Sequence, residues 1–130
     1  MKLGYFTMPL HHPDRNYTLT LKEDREAIIL ADRLGYNEAY IGEHVTDVCE
    51  SIPSCLSFIS SLAPVTKQIR LGSGTVNLPN NHPAAVAAHV CMVDHMLEGR
   101  FNFGIGPGGL RTDSEVFGNL DLDRNEMFVE

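Results

Sequence analysis

Four short apolar segments of this chain each end in residues that a core strand does not need. The ends read Met8-Pro9-Leu10-His11-His12, Gly42-Glu43-His44, Gly74-Thr75-Val76-Asn77 and Gly104-Ile105-Gly106-Pro107-Gly108-Gly109. In Gly42-Glu43-His44 a neutral imidazole can act as a base or donate to a ligand's oxygen. The alternative is a loop histidine making a structural hydrogen bond. The amides of Asn77-Leu78-Pro79-Asn80-Asn81-His82-Pro83 can bind a ligand edge or satisfy loop backbone groups. The glycine run is spaced G-x-G-x-G-G rather than G-x-G-x-x-G, and Pro107 has no N–H to offer an anion. No Lys-Ser/Thr follows, which excludes a nucleoside-triphosphate loop. Residues this small let a flat ring lie against a strand end, or make a plain tight turn.

Other polar residues carry less. His11 and His12 are adjacent on an extended segment, so they point to opposite sides. A catalytic zinc site needs three converging ligands, and no metal is expected. His95 is expected in solvent and His89 partly buried, neither with a partner at metal-site spacing. Arg111 and Asp113 follow the glycine loop and can clamp an anion; the expectation is that they pair with each other. Cys49, Cys55 and Cys91 are odd in number and lack a C-x-x-C spacing. They read as reduced thiols, with Cys91 packed inside a helix. Cys49 and Cys55 lie in or near a loop, but no neighbouring cation in the sequence activates either.

Alternating strands and helices must position these residues. Strand 1 is expected over Leu3 to Met8, ended by Pro9 and the Pro13-Asp14 pair. Helix 1 is expected from Thr20, because Thr20-Leu21-Lys22-Glu23 fits a capping box. Its apolar stripe is Ala27, Ala31 and Leu34, widened by Ile28, and Gly35 stops it. Strand 2 runs Glu38 to Gly42. Helix 2 starts near Ser54, buries Leu56, Ile59 and Ala63, and yields at Pro64. Strand 3 is Ile69 to Val76, where Gly72 and Gly74 suggest a bulge or close backbone approach.

Helix 3 is the most strongly patterned element. Pro83 suits its first position, and Val86, Val90, Val93 and Leu97 form one face up to Gly99. Strand 4 is Phe101 to Ile105. A fourth helix opens near Asp123, with Glu126 as its carboxylate partner, and reaches Glu130. Alternation of this kind implies parallel strands joined by right-handed crossovers, with ligands at the carboxyl rim. Residues 1–130 read as one domain. A doubly wound open sheet is the structural alternative, but its phosphate-binding fingerprint is missing after strand 1.

Composition sets outer bounds. Hydrophobic residues make up 43% of the chain, enough for a packed core. The formal net charge of −7 argues against a nucleic-acid partner, which requires clustered Lys and Arg. No run of eighteen apolar residues suggests a membrane span. With no charged-then-apolar leader before Leu3, the expected location is cytoplasmic.

Taken together, several stretches resemble the luciferase-like flavin-dependent monooxygenases. They are Gly42-Glu43-His44, Leu71-Gly72-Ser73-Gly74-Thr75-Val76 with Leu78-Pro79 and His82-Pro83, Glu98-Gly99-Arg100-Phe101 with Phe103-Gly104-Ile105, and Val116-Phe117-Gly118. The opening Lys2-Leu3-Gly4-Tyr5-Phe6-Thr7-Met8-Pro9 and the Gly-Pro-Gly-Gly loop look most like the limonene-monooxygenase-type members. The resemblance implies an α/β fold, the N-terminal half of a (β/α)8 TIM barrel with four parallel strands. It implies reduced FMN at the carboxyl rim, using O₂ to oxidise a small organic substrate, with a flavin reductase supplying the reduced flavin.

By the same resemblance His44 is the catalytic histidine. Gly74, Thr75, Asn77, Gly106 and Gly108 contact the cofactor, and Gly74-Thr75 is a step where members can carry a cis non-prolyl peptide. The bacterial luciferase α chain has Cys-Arg where Gly106-Pro107 stands, which favours oxygenation over light emission. Two alternatives remain: a deazaflavin-dependent hydride-transfer enzyme on the same barrel, and a non-catalytic flavin-binding or assembly subunit. Four strands leave two unpaired sheet edges. The chain is therefore expected to be part of a longer enzyme, or to hide those edges as a homo-oligomer.

Overall fold

A computed structural model describes residues 1–129; Glu130, the expected last residue of the fourth helix, lies outside the described residues. Strands β1 (Gly4–Thr7), β2 (Glu38–Ile41), β3 (Arg70–Ser73) and β5 (Phe101–Asn102) form a parallel sheet in that order. Two short strands, β4 (Val76–Asn77) and β6 (Ile105–Gly106), extend the same segments as a parallel pair. Helices α1 (Tyr17–Arg33), α2 (Cys55–Leu62) and α3 (Pro83–Met96) connect the strands, and α2 packs on β3 and between α1 and α3. This is the N-terminal half of a (β/α)8 barrel, as the resemblance implied.

The strand faces differ because side chains alternate. Ala39, Ile41 and Leu71 are fully buried beneath the helices, against Ile28, Ile59, Leu62, Val93 and Leu97. Each buried Leu or Ile contributes about 1.5–3 kcal/mol of transfer free energy. On the other face Phe6, Tyr40, Gly72 and Asn102 stand in one lateral row. A Cβ at Gly72 would collide with the Tyr40 ring. That glycine therefore serves close approach, one of its two expected roles.

The expected strands 3 and 4 are each broken in two. The break in the third follows Ser73, at the Gly74–Thr75 peptide, which is cis. Across it, the Ser73 hydroxyl donates to Gly104 O at 2.8 Å and accepts from Gly104 N–H at 3.0 Å. A Cβ on Gly104 would overlap the Ser73 carbonyl oxygen. Serine and glycine together carry the pairing of the two segments across the break while keeping its polar groups satisfied.

Helix 1 begins earlier than the Thr20 capping box suggested. Asn16 is the cap, accepting the Leu19 N–H at 3.1 Å, and Asn caps helices at least as well as Thr. Thr20 is inside and buried, with its hydroxyl donating to Tyr17 O at 2.9 Å. The buried face is also rotated from the expected stripe: Ile28, Ala31 and Asp32 are inside, whereas Ala27 and Leu34 are exposed. Asp32 accounts for the rotation. It accepts the N–H groups of Lys67, Gln68 and Ile69 at 2.8–3.0 Å, satisfying the turn that leads into β3. Gly35 and Gly99 end their helices at φ 80° and 77°, as expected.

Helix 2 buries Cys55, Phe58, Ile59 and Leu62, so Leu56 and Ala63 sit at its margin rather than in the core. Cys55 is therefore a core residue, and Cys91, expected inside, is exposed on α3. Of the expected face, Val86, Val93 and Leu97 are buried and Val90 is partly buried. Two helices follow β6: α4 (Arg111–Phe117) and α5 (Arg124–Val129). The second is capped by Asp123, as expected; its Oδ1 accepts the N–H of Asn125 and Glu126 at 2.9 and 3.2 Å. Helix α4 escaped the sequence reading, because seven residues carry too little periodicity to register.

Candidate active site

The carboxyl ends of the strands meet at a cleft of about 600 Å³. His44, Gly74, Thr75, Asn77, Gly106 and Gly108 all line it, with Met8 and Ile105 as apolar wall. All six predicted site residues thus converge on one place. Their distribution over three segments explains how: His44 follows β2, Gly74 and Thr75 precede β4, and Gly106 ends β6 opposite Asn77.

Local contacts set the cleft's shape. A Cβ on Gly106 would stand 2.7 Å from the Thr75 hydroxyl oxygen, and one on Gly108 would stand 3.3 Å from Asn77 Cγ. Gly108 also has φ 73°, where glycine is favoured. The Thr75 hydroxyl donates to Asn77 Oδ1 at 3.3 Å, and Asn77 O accepts from Asn81 Nδ2 at 2.9 Å. Asn77 is buried.

Glu43 braces this floor from below. One carboxylate oxygen accepts the Asn77 N–H at 3.2 Å, and the other accepts the Cys55 N–H at 3.0 Å. It therefore joins the ends of β2 and β4 to the start of α2. Burial, reinforced by the Glu43 carboxylate, pushes the Cys55 thiol far above its usual range. Its thiolate is disfavoured, which ends the idea that Cys55 is reactive. A second cavity of about 380 Å³ lies behind Glu43, His44 and Asn77, and reaches Ser57, His89 and Met92. His89, expected partly buried, is exposed.

His44 is hydrogen-bonded through Nδ1 and has a second carboxylate near Nε2. Nδ1 lies 3.2 Å from Asp113 Oδ2, and Nε2 lies 3.3 Å from Glu50 Oε2. The other oxygen of Asp113 accepts the N–H of Val45 and Thr46 at 3.2 and 2.9 Å, and the Thr46 hydroxyl at 2.7 Å. Burial of Asp113 opposes its charge, but the Thr46 and His44 hydrogen bonds outweigh that and hold its carboxyl below the usual range. Asp113 was expected to pair with Arg111; it turns inward, while Arg111 is exposed beside Glu115. The two are close in sequence, but Asp113, with Thr112, faces the tip of β2, and Arg111 does not.

Glu50 is the residue that sequence reasoning missed. It belongs to an irregular loop where no spacing rule marks it. The histidine pair behaves as two unrelated residues: His11 Nε2 lies 2.9 Å from Asp24, whereas His12 is exposed beside Asp14. Burial raises the Asp24 carboxyl, against the opposing pull of the His11 hydrogen bond. Among the described residues, no three His, Cys, Asp or Glu side chains cluster around a point that could hold a metal ion, and no helix is long and apolar enough to cross a membrane.

The chain matches the family described as luciferase-like monooxygenase over residues 1–129. It is 35% identical to limonene 1,2-monooxygenase of Rhodococcus erythropolis over 98% of this chain and 33% of that protein. It is 37% identical to 4-hydroxyprotoasukamycin monooxygenase of Streptomyces nodosus subsp. asukaensis over all of this chain and 35% of that one. Among solved structures, the oxygenating constituent of 3,6-diketocamphane monooxygenase from Pseudomonas putida, a type II Baeyer-Villiger monooxygenase in complex with FMN, superposes with a TM-score of 0.95. It is 28% identical, and the match covers 99% of this chain and 36% of that one. The chain spans about a third of the length of the relatives it matches.

Proposed function

Because the chain belongs to the luciferase-like monooxygenase family, we propose that it forms the N-terminal part of a flavin-dependent monooxygenase acting on a small organic substrate. The carrying observation is the convergence of His44, Gly74, Thr75, Asn77, Gly106 and Gly108 on one rim cleft. Its volume falls in the range of small-molecule and cofactor sites, roughly 300–1,000 Å³. The FMN complex of a close structural neighbour supports flavin as the occupant.

The residues present fit such a group. Glycines at 74, 106 and 108 let the cleft's segments close on Phe6, Thr75 and Asn77 without a side chain between them, and Met8 and Ile105 supply apolar surface beside a planar ring. Asn77 and Thr75 offer polar edges. When bound, reduced FMN supplies the electrons with which O₂ is activated, so that one oxygen atom enters the substrate. Gly74, Thr75, Asn77, Gly106 and Gly108 hold the cofactor in place. His44, oriented by Asp113, carries the proton exchanged at the reacting centre. A flavin reductase supplies the reduced cofactor, the protein is a cytoplasmic homo-oligomer, and residues 1–130 belong to one folding unit.

The test is flavin titration and oxygen uptake on the intact protein, supplied with reduced FMN by a reductase. The expected result is FMN binding by both the parent and His44→Ala, with turnover at least about a hundredfold lower in the variant. Full turnover in His44→Ala, or hydride transfer to a deazaflavin without oxygen consumption, would refute the proposal.

A further inference from the structure

Charge is divided unevenly over the cavities of this chain. The rim cleft, the cavity behind it and an outer cleft of about 300 Å³ beside Tyr17 all touch His44, and all three are lined by carboxylates without a Lys or Arg. A groove of about 550 Å³ between α1 and α2 has the reverse lining: Lys22 and Arg25 stand on its α1 wall, and no Asp or Glu lines it. The chain carries 17 acidic and 10 basic residues, so two cations without a carboxylate run against its overall charge.

Neither cation is neutralised within the fold. The adjacent carboxylates of α1 have other partners: Glu23 Oε1 lies 2.7 Å from Arg15 Nη2, and Asp24 Oδ1 lies 2.9 Å from His11 Nε2. Among the described residues, no carboxylate forms an ion pair with Lys22 or Arg25. Arg25 is half-buried, and its guanidinium reaches a single acceptor, Ser61 O, through Nε and Nη2 at 3.4 and 3.3 Å. The floor of the groove is apolar: Ile52 and Phe58 are buried, and Leu21 is partly so.

We infer that this groove binds a small amphipathic carboxylic acid, its apolar body on Leu21, Ile52 and Phe58 and its carboxylate between Lys22 and Arg25. Three apart on one helix, the two cationic side chains are neighbours. The guanidinium presents paired N–H donors that match a carboxylate, and the ammonium adds a second charge. The apolar body is drawn in because it and the groove floor leave water together. The volume lies within the range of small-molecule sites, roughly 300–1,000 Å³. The carboxylates around His44 repel the same acid, so groove and cleft sort ligands by charge. The two are neighbours all the same, since Tyr17 and Pro53 line both the groove and the outer cleft at His44. The inference does not depend on the proposed function: the groove is built from α1, α2 and the residues before α2, and requires no flavin.

Calorimetric titration of the intact protein tests it, with octanoate and its uncharged analogue octan-1-ol as probes, at about pH 7 where the acid is ionised. Octanoate should bind at least about tenfold more tightly than the alcohol, and raising salt from roughly 0.05 to 0.5 M should narrow that gap. When Lys22→Gln is combined with Arg25→Gln, octanoate should weaken about tenfold, while octan-1-ol stays within about twofold of its parent affinity. Equal affinities for acid and alcohol in the parent, or unchanged octanoate affinity in the variant, would overturn the inference. Displacement of octanoate by FMN would do the same, because it would put the acid in the cleft. Should the variant not fold, the parent decides: an acid–alcohol gap that salt leaves untouched overturns the pairing with Lys22 and Arg25.

Discussion

Asp113 and His44 stand 69 residues apart in the chain, yet Asp113 Oδ2 lies 3.2 Å from His44 Nδ1. With Oδ1 gripping Val45 and Thr46, this carboxylate ties α4 to the tip of β2. Asp113→Ala should leave those donors without a partner and cost about 1–3 kcal/mol. Denaturant unfolding of the intact protein measures the loss. A midpoint equal to the parent's would mean that the loop holds His44 without Asp113.

Acid should weaken the fold through Asp113 and Asp32. Burial opposes the Asp32 charge too, but the N–H bonds from Ile69, Gln68 and Lys67, with Arg100 nearby, keep its carboxyl below the usual range. A carboxyl with a lowered folded-state pKa stabilises the fold above its unfolded value, and that contribution is lost as pH falls through the folded value. Stability should therefore be flat near neutrality and decline below about pH 4. Asp32→Asn should be less stable at pH 7 and show a shallower acid decline. An equal slope in parent and variant, read from unfolding midpoints between pH 2 and 6, would exclude Asp32 as a contributor.

Glycine substitutions should separate close approach from open space. Gly104→Ala drives a methyl onto the Ser73 carbonyl and should cost about 1–3 kcal/mol or more. Gly106→Ala presses on the Thr75 hydroxyl, so it should weaken FMN binding as well as stability. Gly109→Ala meets nothing within 4 Å and should change stability by less than about 0.5 kcal/mol. Thermal unfolding and flavin titration of the three variants give the ranking; a Gly109→Ala loss equal to that of Gly104→Ala would contradict the packing.

Arg100 should matter for stability and not for the cleft. Its guanidinium donates to Ile69 O at 2.9 Å, and to Thr66 O and Oγ1 at 3.2 Å each, at the end of the strands opposite the rim. Arg100→Met should cost about 1.5–3 kcal/mol through lost charged hydrogen bonds. FMN affinity, measured on the folded variant, should stay within about twofold of the parent. A tenfold loss of affinity at unchanged stability would show that the two ends are coupled.

The alternation of strands and helices was legible in the chain because burial leaves periodic marks. Val86, Val93 and Leu97 recur on one helical face, and Gly35 and Gly99 stop their helices where positive φ is required. The strand-end residues were legible for a different reason: polar and glycine residues have no purpose inside a core strand, so His44, Asn77 and Gly106 stood out by type alone. Helix 1 was misread in phase because the periodicity of Ala27, Ala31 and Leu34 says nothing of Asp32, whose place is set by three N–H groups more than thirty residues away.

By itself, then, the sequence determined the alternation of the main strands with the three long helices, the parallel fold and which segments carry chemistry, since each of these is encoded within a turn or two of chain. Only the tertiary structure decided what His44 touches. Asp113 and Glu50 reach it from a short helix and an irregular loop, and Glu43 reaches Asn77 from another strand end. Hydrogen bonds of this kind depend on where separate segments come to rest in space, and no local pattern of residues records that distance.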